Sequence, residues 1–162
     1  TADGGSTTKG IFGVPWVYIH SGMPQGSQLK TVTAHELGHA FQRVYTKNVI
    51  AQWIDEATAQ WVAFYVLGSE ASLQGDLFSG SDFVAVGIPD GLTFGYTMEQ
   101  QYAAGAFVIW MAREYGDSSI LQMYDLLSTS PSYWYDSYGT FSTATGASMA
   151  EIIKLSWARR CV

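Results

Sequence analysis

From Ser27 or Gln28 onward the chain carries a helical period, with Leu29, Val32, Leu37, Ala40, Phe41 and Val44 falling three to five positions apart. Within it lies Thr33-Ala34-His35-Glu36-Leu37-Gly38-His39-Ala40-Phe41. Four residues advance a helix by about 400°, so His35 and His39 stand about 40° apart on one face, one turn above the other. Two imidazoles so placed can hold one Zn²⁺ at about 2.0–2.1 Å each. Glu36 lies beside them and can reach a metal-bound water without taking a metal position itself. The chain has three histidines in all, and two of them flank this glutamate at ligand spacing. The fold must therefore bring a further ligand to this helix face.

A catalytic zinc site needs a third protein ligand, with the fourth position left to water. Six residues after His39 stands Tyr45, so a histidine from a longer motif does not serve. Carboxylates are offered by Trp53-Ile54-Asp55-Glu56-Ala57-Thr58-Ala59-Gln60-Trp61, on a second helix expected from about Ala51 to Leu67 and stopped by Gly68. Glu56 is seventeen positions after His39, across a short turn. An antiparallel helix pair joined by a few residues brings such faces together. Asp55 points about 100° away from Glu56 and reads as an exposed acid near a helix N-terminus.

Elsewhere the pattern is mostly helical. Residues 1–10 are small and polar and read as a flexible lead-in, with a single domain over residues 11–162. Ile11 to Ile19 favours a strand, with Pro15 marking an edge. Residues 69–95 are broken by Gly75, Gly80, Gly87, Pro89 and Gly91 and read as loops with short pieces of structure. A third helix is expected from about Thr97 to Tyr115, ending at Gly116. A fourth follows from Asp117 as N-cap to Leu127. Ser148 caps a last helix, with Glu151 completing a capping box. The fold class is α+β, mostly helical, with a small sheet or edge strand ahead of the histidine helix.

Composition narrows the function. A chain of 162 residues fits one domain, and 48% hydrophobic against 14% charged residues excludes disorder. A net charge of -6 without a basic stripe argues against a nucleic-acid partner. The longest apolar run, from Tyr102 to Ala112, is too short to span a membrane. The lone cysteine, Cys161, excludes an internal disulfide and a thiolate zinc cluster and reads as a free thiol. Richness in Ser, Thr, Gly and aromatic residues with few lysines points to a secreted protein.

His-Glu-Leu-Gly-His followed by Trp-x-x-Glu-Ala-x-Ala resembles the gluzincin metallopeptidases, especially the branch that includes the zinc aminopeptidases. In that branch a Trp-x-x-Glu-Gly-x-Ala segment supplies the third zinc ligand, which here falls on Glu56. Tyr102-Ala103-Ala104-Gly105-Ala106 is similar to the branch's Tyr-x-x-Gly-Ala element, which implies an oxyanion-stabilising role for Tyr102, with Tyr96 as the fallback. The stretch from Phe141 through Gly146 and Ser148, leading into a final helix with Trp157, also looks like the end of such a domain. The resemblance implies a zincin-like fold and one Zn²⁺ per chain held by His35, His39 and Glu56. It further implies hydrolysis of peptide bonds in a protein or peptide substrate, with Glu36 as general base on the zinc-bound water.

The chain also departs from that pattern. It lacks the Gly-x-Met-Glu-Asn loop that grips a free amine, so an endopeptidase is expected. Gln60 stands where thermolysin-like relatives carry an Asp, and its side-chain carbonyl is a candidate partner for a ligand histidine. One strand rather than a fuller sheet precedes the histidine helix. The alternative reading is a catalytically inactive, zinc-stabilised module that binds a partner or self-assembles; Glu36, which a structural site does not require, weighs against it. Restriction of the enzyme to glycosylated substrates is a third reading. His20 reads as a surface residue or a substrate contact, and Trp53 and Trp61 as packing between the two metal helices. Tyr133, Trp134, Tyr135 and Tyr138 read as packing or as a sugar or peptide platform.

Overall fold

The computed structural model describes residues 5–9, 15–23, 25–45, 52–68, 98–129, 137–148, 150–152 and 154. Gly5–Lys9 (β1) and Pro15–Ile19 (β2) form an antiparallel pair, with Gly5 opposite Ile19 and Lys9 opposite Pro15. Residues 5–9, within the stretch expected as a flexible lead-in, thus form a strand. The Gly-Ser-Thr-Thr-Lys strand has no apolar period because its pairing uses peptide groups rather than side chains. Pro15 occupies the first position of β2, where its missing N–H is tolerated.

Among the described residues, four long helices fall where the sequence places them. Ser27–Tyr45 (α1) follows Gly26, whose φ of 101° turns the chain into the helix. Gln52–Leu67 (α2) stops at Gly68. Met98–Tyr115 (α3) stops at Gly116, and Asp117–Thr129 (α4) follows directly. The last expected helix is present in residues 150–152. Its capping box is formed, with Ser148 N–H donating to Glu151 Oε2 at 2.9 Å and Glu151 N–H donating to Ser148 Oγ at 3.3 Å. Ser137–Thr145 (α5) has no counterpart in the sequence expectations. It is short and rich in small hydroxylated residues, and it is held by Phe141, which is fully buried and meets Phe107 edge to face at 5.6 Å.

α1 packs on both strands and on α2, and α2 packs in turn along α3. At this central position Ile54, Ala57, Ala59 and Ala63 of α2 are fully buried, while Tyr65 and Val66 toward its end are exposed. The main core joins Ile54 and Ala57 of α2 with Phe107, Val108 and Met111 of α3, Ile120, Met123 and Leu127 of α4, Phe141 of α5, and Ile152. Mostly helical architecture beside a small sheet is thus what the chain adopts. Among the described residues, no helix is long and apolar enough to cross a membrane.

The burial of α1 runs against its composition. Leu37, Phe41 and Val44, which help give the helix its apolar period, are 45%, 63% and 70% exposed. The buried residues are Thr31, Ala34, His35, Glu36, Gly38, His39 and Gln42. Four side chains on that inner face carry acid, base or amide groups, and desolvating such groups costs free energy unless they are partnered. That arrangement is expected of a site rather than of a packing surface.

Candidate metal centre

Helix geometry sets His35 one turn before His39, and their Nε2 atoms stand 3.0 Å apart. The rings meet nearly perpendicular, at 88°. α2 delivers Glu56, whose Oε2 lies 3.2 Å from His35 Nε2 and 3.5 Å from His39 Nε2. Both histidines are buried, and the Glu56 side chain is 15% exposed. Donors about 2.0–2.1 Å from one tetrahedral ion stand roughly 3.3 Å from one another. The observed spacings bracket that value, and the donor set of two imidazoles and a carboxylate suits zinc. His35, His39 and Glu56 could therefore hold a single divalent cation.

α1 and α2 approach closely enough for this because small residues face each other. A Cβ added at Gly38 would lie 3.0 Å from Ala59 Cα. The glycine between the two histidines is thus required by helix packing rather than by ligation.

The ligands polarise one another. Burial pushes the Glu56 carboxyl up, but hydrogen bonds and charge from His35 and His39 outweigh it and hold the group at about 2. Burial pushes His39 down, and the Glu56 carboxylate, with a smaller contribution from Gln42, overcomes it, so that His39 is raised above 6.5. Glu36 is buried on the same helix, and its charge also favours protonated His39.

The structure brings together the three expected ligands, His35, His39 and Glu56, with Glu36 buried one residue from His35. Asp55 departs from expectation. It is buried rather than exposed, with Oδ2 3.5 Å from Arg43 Nη1, and burial drives its carboxyl up to about 6 despite that partner. Its side chain belongs to the contact between α1 and α2. Gln60 is also buried, but among the described residues its carbonyl oxygen has no hydrogen-bond partner, a ligand histidine included. That contact comes from Gln42, whose Oε1 lies 2.7 Å from His39 Nδ1. Sequence reasoning passed over Gln42; the available signal was its position three residues after His39, which puts both on one helix face.

His20 is exposed, and its Nδ1 accepts the Gly22 N–H at 3.1 Å in the turn after β2. Trp61 packs partly buried against the main core and lines a pocket with Gly38 of α1 and Val62 of α2. Tyr102 lies on the first half of α3, while its side chain, like those of Trp53 and Tyr138, lies outside the described residues. So do Tyr96, residues 133–135, Trp157 and Cys161. Comparison with protein-family models, curated proteins and solved structures finds no match to this chain.

Proposed function

We propose that this protein is a zinc-dependent metallopeptidase of the gluzincin type, cleaving peptide bonds within protein or peptide substrates. The observation that carries the reading is the convergence of His35, His39 and Glu56, with Glu36 buried beside them on the same helix turn. A purely structural zinc site ordinarily uses four protein ligands, often thiolates, and has no use for Glu36. The resemblance of the two ligand segments to gluzincins supplies the zincin-like fold assignment and the reaction class.

His35, His39 and Glu56 hold the cation in this reading, one per chain. When bound, zinc supplies Lewis acidity to the scissile carbonyl and makes water acidic near neutral pH, with a pKa of about 7. Glu36 accepts the proton of the attacking water and returns it to the leaving amine. Tyr102 donates a hydrogen bond to the developing oxyanion, a role carried over from the resemblance and worth about 2.7–4 kcal/mol per donor in comparable sites. A secreted location rests on composition alone.

The test is zinc content and casein cleavage measured on the wild type and on Glu36→Gln. The wild type should hold about one zinc per chain and cleave casein. Glu36→Gln should keep the zinc and lose about 10²–10⁴-fold in rate. Undiminished cleavage by Glu36→Gln overturns the mechanism. Zinc binding without cleavage by the wild type would favour the inactive, zinc-stabilised module instead.

A further inference from the structure

We infer that Gln42 is a positioning residue that fixes His39 in the Nδ1–H tautomer, so that the Nε2 lone pair faces Glu56 and His35. The inference rests on the reading of His35, His39 and Glu56 as a metal centre.

Hydrogen-bond accounting carries the assignment. Gln42 Nε2 lies 2.7 Å from the Asp55 carbonyl oxygen, which can only accept. That contact fixes which end of the Gln42 side chain is nitrogen. Its second N–H points at Thr58 Oγ1, also at 2.7 Å. Thr58 has one hydroxyl hydrogen, and it goes to the Ile54 carbonyl at 2.6 Å, one turn back on α2. Thr58 Oγ1 accepts from Gln42 and also shares a hydrogen bond with the Tyr124 hydroxyl on α4, 2.5 Å away. With both N–H groups committed, Gln42 can only accept through Oε1. His39 Nδ1, 2.7 Å from Oε1, must then carry a hydrogen. A neutral imidazole has one N–H, so Nε2 is left as the bare donor a metal requires.

The device is rigid because every part of it is buried. Gln42, Thr58 and Tyr124 are 4%, 1% and 6% exposed, and they join α1, α2 and α4. Water does not compete for these groups, and a half-satisfied arrangement would be costly, so the network holds one hydrogen-bond pattern. Partners of this kind on ligand histidines raise metal affinity by about 10–100-fold. Here that role falls to an amide held by a threonine and a tyrosine from two other helices.

The test combines histidine-labelled ¹⁵N NMR of metal-free protein, at a pH where His39 is neutral, with zinc competition against a chromophoric chelator. In the wild type, His39 should show a protonated Nδ1 and a lone pair at Nε2. Gln42→Met, close in shape but without the amide, should show both tautomers and bind zinc about 10–100-fold more weakly. Gln42→Glu retains an acceptor toward Nδ1 and should preserve the tautomer, at a cost in stability because its other oxygen replaces the N–H that the Asp55 carbonyl accepts. An Nε2–H tautomer in the wild type overturns the inference, whether or not zinc binds. So does a folded Gln42→Met with unchanged tautomer and unchanged affinity. If neither variant folds, the wild-type spectrum alone decides. A wild type that shows the Nδ1–H tautomer yet takes up no zinc would sink the metal reading while leaving the tautomer assignment standing.

Discussion

Gly38 of α1 and Ala59 of α2 meet so closely that a Cβ on the glycine would stand 3.0 Å from Ala59 Cα and 3.2 Å from Val62 Cβ. Ala59 belongs to helix backbone and cannot swing away. This contact sets the separation across which His35 and His39 reach Glu56. Gly38→Ala should therefore lower stability by about 1–3 kcal/mol through overpacking, offset in part by up to about 1 kcal/mol of helix propensity. Zinc affinity should fall with it, because α2 carries Glu56. Denaturant unfolding and chelator competition would read both. A variant as stable and as zinc-avid as the wild type would show that the helices are not held apart at this point.

The acid limb of stability in the metal-free protein should depend on Glu56. Its carboxyl sits at about 2 when folded against an ordinary 4.5. Between those values the unfolded chain binds more protons, so stability rises with pH there and is lost as pH falls from 4.5 toward 2. The contribution is at most about 3 kcal/mol, at 1.36 kcal/mol per unit. Glu56→Gln should flatten this limb in urea titrations between pH 2 and 5. A limb of unchanged steepness would mean that the carboxylate gains little from the histidines.

Asp55 should act with the opposite sign. Burial raises it from 3.8 to about 6 in the folded chain, so there the native state binds more protons than the unfolded one. Stability from this group falls as pH rises from about 4 to 6. Asp55→Asn keeps the backbone carbonyl that Gln42 uses and removes the buried charge. Its stability relative to the wild type should climb across that window by up to about 3 kcal/mol. Parallel profiles for the two proteins would contradict the buried-charge account.

Phe141 ties α5 to the main core through Phe107, remote in sequence from His35, His39 and Glu56. Phe141→Ala should cost about 3–5 kcal/mol by opening a cavity, a large share of the ~5–15 kcal/mol that such a domain has. Zinc affinity of the folded fraction should stay within a few fold of the wild type. Calorimetric unfolding and zinc competition would separate the two effects, and a proportionate loss of zinc binding would show that α5 supports the centre.

The ligand pair was legible because helix geometry is local: a four-residue spacing inside a helical period fixes the relative direction of His35 and His39. Glu56 was legible because two helices separated by only six residues, 46–51, have little choice but to run side by side. Asp55 was misjudged because proximity to a helix end says nothing about which side the neighbouring helix covers. β1 was missed because its strand character comes from pairing with β2, and α5 because its buried residues, Thr140, Phe141 and Ala144, include a single large apolar side chain.

The amino-acid sequence alone thus determined α1 to α4, the glycines that stop α2 and α3, and the three side chains that converge. Tertiary structure decided what surrounds them. It turned the polar face of α1 inward and left Leu37, Phe41 and Val44 exposed, the reverse of what hydrophobicity favours. It also gave His39 its support from Gln42 rather than Gln60, since that choice depends on Thr58 and on Tyr124, which lies 66 residues farther along the chain. Local periodicity encodes direction within a helix, whereas the partners of a buried polar group are fixed only when distant helices pack and exclude water.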